Sequence, residues 1–180
     1  MSLSQKSFHL INSEIVYKGR AFDVRRDRVS LPDGKIIHLD VIDHTGAITI
    51  IPVDSQKQIY FVRQYRHPAR ELLLELPAGT LEKDEPPESG VAREIREEIG
   101  MEAGYLQKIG EFYMVPGYSS ECMHIFLAKD LHPNPLKADD DEFLSVEIYS
   151  VEQAYAMVEK GQIRDAKTIA GLLLARTLIE

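Results

Sequence analysis

Between Pro86 and Gly100 the chain reads PPESGVAREIREEIG, a helix that would repel itself if nothing else were present. Glu94, Glu97 and Glu98 crowd within about one turn, and carboxylates three and four apart on a helix are neighbours that cost about 0.2–0.5 kcal/mol per pair. The helix signals are nonetheless strong. Pro86 and Pro87 stand near its start, where a missing N–H costs nothing, and Gly100 stands where a left-handed cap belongs. On a wheel of about 100° per residue, Val91, Ile95 and Ile99 form an apolar stripe for a core. The glutamates lie beside that stripe, Glu98 nearest to it, and Arg93 and Arg96 fall on the far side. The acids therefore converge at the seam between core and solvent, where a cavity wall would be.

Around this helix the chain reads mostly as strand. FDVRRDRVSL (22–31), the turn PDGK and IIHLDVI (36–42) make a hairpin. AITIIPV (47–53) and QIYFVRQY (58–65) are rich in β-branched and aromatic residues and read as two neighbouring, well-buried strands. LLLEL (72–76) runs as a short strand into a PAG turn. Further strands are expected at 105–114, 122–128 and 143–149. Two more helices follow. One is capped by Ser150 and Gln153 and stopped at Gly161. The other starts at Asp165, with Ile169, Leu172, Leu173 and Arg176 on neighbouring faces. Strands outnumber helices in irregular order, which predicts an α/β sandwich on a mixed sheet. The best internal break is DHTG (43–46). It sets off a small N-terminal β-lobe, 1–44, from a main domain, 45–180.

Net charge is −8, which argues against a nucleic-acid partner. No apolar run approaches the ~20 residues that span a bilayer, so no membrane role is expected. The N-terminus lacks the basic start and apolar stretch of a secretory signal. The lone Cys122 excludes an intramolecular disulfide and a cysteine-built zinc site, and agrees with a cytoplasmic setting. The histidines show no metal-ligand spacing and read as strand and loop residues.

Charge runs usually mean a solvated face. Here the three glutamates do not alternate with arginines on one face. The loop LPAG-TLEKDE also brings backbone carbonyls and Glu85 towards the same point. All-oxygen donors suit a hard cation, so Mg²⁺ or Mn²⁺ is expected. Carboxylates around divalent ions suit displacement at phosphorus.

From Gly79 to Met101, GTLEKDEPPESGVAREIREEIGM resembles the box of the Nudix hydrolase family, G-x₅-E-x₇-R-E-U-x-E-E-x-G-U with U a bulky aliphatic residue. Gly79, Glu85, Arg93, Glu94, Ile95, Glu97, Glu98, Gly100 and Met101 fill its fixed positions. The resemblance implies the family's α/β/α sandwich with a mixed sheet, and hydrolysis of a nucleoside diphosphate linked to another moiety. It implies metal ligation by Glu94, Glu97 and Glu98 with the backbone carbonyl of Ala78. Arg93 would pair with a box glutamate and Glu85 would brace the loop.

Pro116, 15 residues beyond Met101 in PGYSSE, resembles the ADP-ribose pyrophosphatase branch, as do VRQYRHP and LELPAG. That likeness carries Pro116, Gly117, Ser119 and Glu121 into the site region. It also implies Arg66 on phosphate, Glu75 beside the metal, and a catalytic base at Glu142, with Asp141 the runner-up. Tyr17, Phe22 and Tyr118 are the aromatics for the base. The branch implies a homodimer joined through the N-terminal lobe. The expected reaction is Mg²⁺-dependent cleavage of ADP-ribose to AMP and ribose 5-phosphate. The rivals are GDP-mannose or a UDP-sugar as substrate, and a non-catalytic ADP-ribose sensor, which the intact box disfavours.

Overall fold

In a computed structural model of the chain, residues 7–137 and 143–179 are described. They fall into two units. The first takes the chain to Gly46 together with Tyr113–Cys122; the second takes Ala47–Phe112 and the chain from Met123 onward.

The first unit holds an antiparallel sheet in the order β1 (His9–Lys18), β2 (Asp23–Ser30), β3 (Ile36–Asp43). The β2–β3 hairpin matches the expected one, and Gly34 closes its turn with a φ of 86°, a conformation that glycine adopts at no steric cost. β1 was not expected. Its register slips between Leu10 and Asn12 and again between Ile15 and Tyr17. Each slip breaks the period of two, so no clean alternation is left in HLINSEIVYK. Segment 113–122 joins this unit at the end of β3: Ile42 N–H donates to Tyr118 O at 2.8 Å, and Ser120 N–H to Ile42 O at 3.0 Å.

The second unit holds two sheets and three helices. A mixed sheet runs β7 (Ala78–Thr80), β4 (Ala47–Pro52), β9 (Cys122–Pro133), β8 (Met101–Tyr113). β4 is parallel to β9 and antiparallel to β7. An antiparallel sheet runs β10 (Leu144–Ser150), β5 (Gln58–Arg66), β6 (Glu71–Glu75). The expectation of β4 and β5 as neighbouring strands is corrected. They meet at one bridge, Val53–Ile59, then part into different sheets. A strand has two edges, and those of β4 are taken by β7 and β9.

β4 is buried along its length, because helices cover both of its faces. Ile48 and Ile50 pack with Val91 and Ile95 of α1 (Pro87–Glu98) and with Ile99, which caps it. Ile51 and Ile125 face Gly171 of α3 (Ala166–Ile179). This is the α/β/α sandwich that the resemblance implied. α2 (Val151–Glu159) carries the expected capping box of Ser150 and Gln153. In α3, Leu173 is exposed, while Lys167 and Thr168 are buried with Leu172 and Ala175. A helix apolar nearly all round gives no single inward face to read.

Candidate active site

α1 is held by its ends and its apolar stripe, and its acids follow. Val91, Ile95 and Ile99 are buried, which draws in the adjoining edge: Glu94 is 7% and Glu98 5% exposed. The Glu98 carboxylate accepts the Ala78 N–H at 2.9 Å, so β7 abuts it. Gly79 lies flat against Glu94. A Cβ at that position would stand 1.8 Å from Glu94 Oε1, so only glycine leaves room for this carboxylate. At the helix end Gly100 takes a φ of 69°, the left-handed cap expected of it. LPAG is not only a turn: residues 78–80 form β7 and pair with β4.

Arg93 does not stay on the far side of the wheel. Its long side chain folds back and its guanidinium becomes the hub of the acids. It donates to Glu94 Oε1 at 2.6 Å, to Glu97 Oε2 at 3.1 Å and to both oxygens of Glu85 at 3.2 and 3.3 Å. A fifth bond reaches Thr80 O at 3.4 Å. Burial works against the Arg93 charge, but Glu85 and Glu94 outweigh it and raise its pKa. The same contact, with a bond from Glu82 N–H, lowers the pKa of Glu85. Arg96 turns away to the carbonyl and side chain of Asn134.

Three carboxylates thus gather on one guanidinium, with Glu98 buried on the same helix, a strongly negative, half-desolvated spot. Its side-chain donors are all carboxylate oxygens. Each oxygen has two lone-pair directions, so a carboxylate held by Arg93 still has capacity to coordinate. The donor set fits a hard divalent cation.

A second charged group lies on β5 and β6. Arg66 makes a two-point bond to Glu75, Nε to Oε1 and Nη2 to Oε2, each at 2.8 Å. Glu75 is 1% exposed, while the Arg66 side chain keeps 40%. Bonding to Glu75 raises the Arg66 pKa, and the fields of Asp165 and Glu98 add to it. Burial pushes the Glu75 pKa up, but Arg66 and Lys167 overcome this and hold it below the usual carboxylate range. Arg63 bonds Glu147 of β10 instead, so the two arginines serve different partners. Lys167 and Thr168, which complete the Glu75 environment, carry no sequence signal: they sit in an apolar helix.

The residues of PGYSSE belong to the first unit. Ser119 is buried, its N–H donates to Val115 O, and its Oγ accepts the Glu121 N–H at 3.1 Å. Tyr17, Phe22 and Tyr118 are exposed there. Asp141 and Glu142 lie outside the described residues.

Comparison with known proteins agrees with this geometry. The NUDIX domain profile matches residues 43–172, and that of the nucleoside diphosphate sugar hydrolase N-terminal domain matches residues 8–38. An ADP-ribose pyrophosphatase of Bacillus subtilis (strain 168) is 37% identical, over 93% of this chain and 90% of its own length. A GDP-mannose pyrophosphatase of Citrobacter koseri is 34% identical, over 72% of this chain and 73% of its own. A solved ADP compounds hydrolase has the same fold, with a TM-score of 0.85 at 24% identity, over 96% of this chain and 94% of that one.

Proposed function

The chain belongs to the Nudix hydrolase family, and from that premise we propose that it cleaves the pyrophosphate bond of ADP-ribose to AMP and ribose 5-phosphate with Mg²⁺ or Mn²⁺. The observation that carries this reading is the convergence of Glu94, Glu97 and Glu85 on Arg93, with Glu98 bonded to the Ala78 N–H and Gly79 flat against Glu94. Glu94, Glu97 and Glu98, with the Ala78 carbonyl, would hold the divalent cation that this family uses. When bound, the cation neutralises phosphate charge and lowers the pKa of a water.

The rest is work for the chain's own residues. Arg66 is the contact for the diphosphate, held in place by Glu75. Glu142 takes the proton from the attacking water as its oxygen joins one phosphorus and the bridging P–O bond breaks. Ser119 and Glu121 bind substrate, and Gly79, Glu85, Arg93, Gly100 and Pro116 shape the loops. Residues 1–44 act as a dimerising lobe and 45–180 as the hydrolase domain. Support for a homodimer comes from β1, which leaves Leu10, Ile15 and Tyr17 in solvent. We place the enzyme in the cytoplasm. No described helix is long and apolar enough to cross a membrane.

A second reading, GDP-mannose as substrate, is favoured by the Citrobacter relative. A substrate panel of ADP-ribose, GDP-mannose and UDP-glucose at one Mg²⁺ concentration separates the two. The expected outcome is AMP and ribose 5-phosphate, abolished by EDTA. GMP released at the higher kcat/KM overturns the choice of substrate. Glu142→Gln should slow turnover about a hundredfold and spare metal binding; unchanged turnover removes Glu142 as the base.

A further inference from the structure

Lys167 is a buried cation for which the reaction described so far has no use. It is 8% exposed. Its ammonium bonds Glu75 Oε2 and stands 3.0 Å from Asp165 Oδ2. A buried ammonium is costly unless paired, and exchanging a buried ion pair for apolar residues is often neutral or stabilising. Arg66 already pairs Glu75 in a two-point bond, so a second buried cation on that carboxylate is more than its pairing needs and asks for a reason.

The surrounding charges give one. Arg66 and Glu75 by themselves form a neutral pair, and a neutral pair draws an anion weakly. Lys167 bonds Glu75 Oε2, the oxygen that Arg66 Nη2 also holds, and so shares that carboxylate with Arg66. Asp165 brings a second carboxylate, so the four side chains alone sum to zero; it also caps α3, accepting the Thr168 N–H at 2.9 Å and the Thr168 Oγ1–H at 2.6 Å. The α3 N-terminus adds about half a positive charge beside it. Thr168 Oγ1 in turn accepts the Leu76 N–H at 2.8 Å, two residues before Ala78, whose N–H meets Glu98. The start of α3 is thereby bonded to the segment that carries both the Arg66 partner and the metal-facing backbone.

We propose that Lys167 is a positioning residue for diphosphate binding: by sharing and fixing the Glu75 carboxylate, it leaves the half-exposed Arg66 guanidinium less fully neutralised and so available to the substrate. The inference rests on the functional reading above, with Arg66 as the phosphate contact. Lys167 touches neither substrate nor metal.

Three variants test it by steady-state kinetics with the substrate that the wild type prefers. Lys167→Gln keeps a donor for Glu75 and drops the charge; Lys167→Met drops both. Each should raise KM about tenfold with kcat within about threefold of wild type, the signature of lost uniform binding. Mn²⁺ affinity, read by electron paramagnetic resonance, should not change. Lys167→Arg keeps the charge and should hold KM within about threefold of wild type. Lys167→Gln and Lys167→Arg carry the test if Lys167→Met fails to fold. Wild-type KM in Lys167→Gln overturns the inference, as does a Lys167→Arg variant impaired as much as Lys167→Met, which would mark a packing role. A wild type that cleaves none of the panel overturns the functional reading and this inference together. An active wild type with an indifferent Lys167→Gln overturns the inference alone.

Discussion

The N-terminal sheet and the acidic helix are each inside out, in opposite senses. In the sheet, apolar side chains face water: every residue of β1 is exposed, Leu10 and Tyr17 by more than half. In the helix, Glu94 and Glu98 are buried. Exposed apolar surface and buried charge are both unusual, and each points to something that completes it. The sheet wants an apolar partner, which we take to be a second copy of the chain. The helix wants a cation. The lesson is that misplaced chemistry marks function more clearly than well-placed chemistry does. Val91 and Ile95 are where any helix would put them; Glu98 is not.

The sharpest way to break this comparison is at the helix. Glu98→Gln should reduce kcat by about three orders of magnitude with the circular dichroism spectrum unchanged. An active variant would leave the burial of Glu98 without its explanation. Next in size is Glu75→Gln, which leaves Lys167 and Arg66 short of their shared anion and should cost about 3 kcal/mol. This loss has a definite pH dependence. The folded-state pKa of Glu75 is lowered from its ordinary 4.5, so its contribution is present above that value and fades as pH falls through the lowered pKa. Urea unfolding at pH 7 and pH 3 should show the gap between wild type and variant closing at pH 3. A constant gap refutes the ion-pair account.

Gly79→Ala should cost about 2 kcal/mol through overpacking, because its methyl would occupy the place of the Glu94 carboxylate. It should also weaken Mn²⁺ binding, whereas a substitution made only in the sheet should not. The smallest effect sharpens the other side. Leu10→Ser with Tyr17→Ser should change the stability of an isolated protomer by less than about 0.5 kcal/mol, since both side chains are in water there. In analytical ultracentrifugation the same pair should convert a dimer to a monomer. An unchanged dimer would move the interface elsewhere.

Much of the candidate site was legible because its logic is local. The spacing of Glu94, Glu97 and Glu98 against Val91, Ile95 and Ile99 predicts which acids are drawn inward, since one helical turn sets both. Gly100 and the Ser150–Gln153 box are likewise settled within a few residues. The wheel set Arg93 on the far side because a wheel locates Cα atoms, but its guanidinium reaches several ångströms beyond, to the box glutamates with which the resemblance paired it. β1 was missed because its bulges erase the alternation. The pairing of β4 with β7 and β9 rather than β5 was hidden because β5 and β9 are both apolar and buried, and because β7, three residues of AGT, is too short to carry a strand pattern.

By itself, then, the order of residues determined the helix that gathers the acids, the glycines that admit and end it, and the oxygen chemistry of the metal. Each depends on neighbours within about a turn. Only the tertiary structure decided that Arg93 is the hub, that Glu75 lies between Arg66 and Lys167, and that residues 113–122 go with the N-terminal sheet. Those are meetings of groups distant along the chain. They are fixed by which surfaces bury one another, and no local pattern records that.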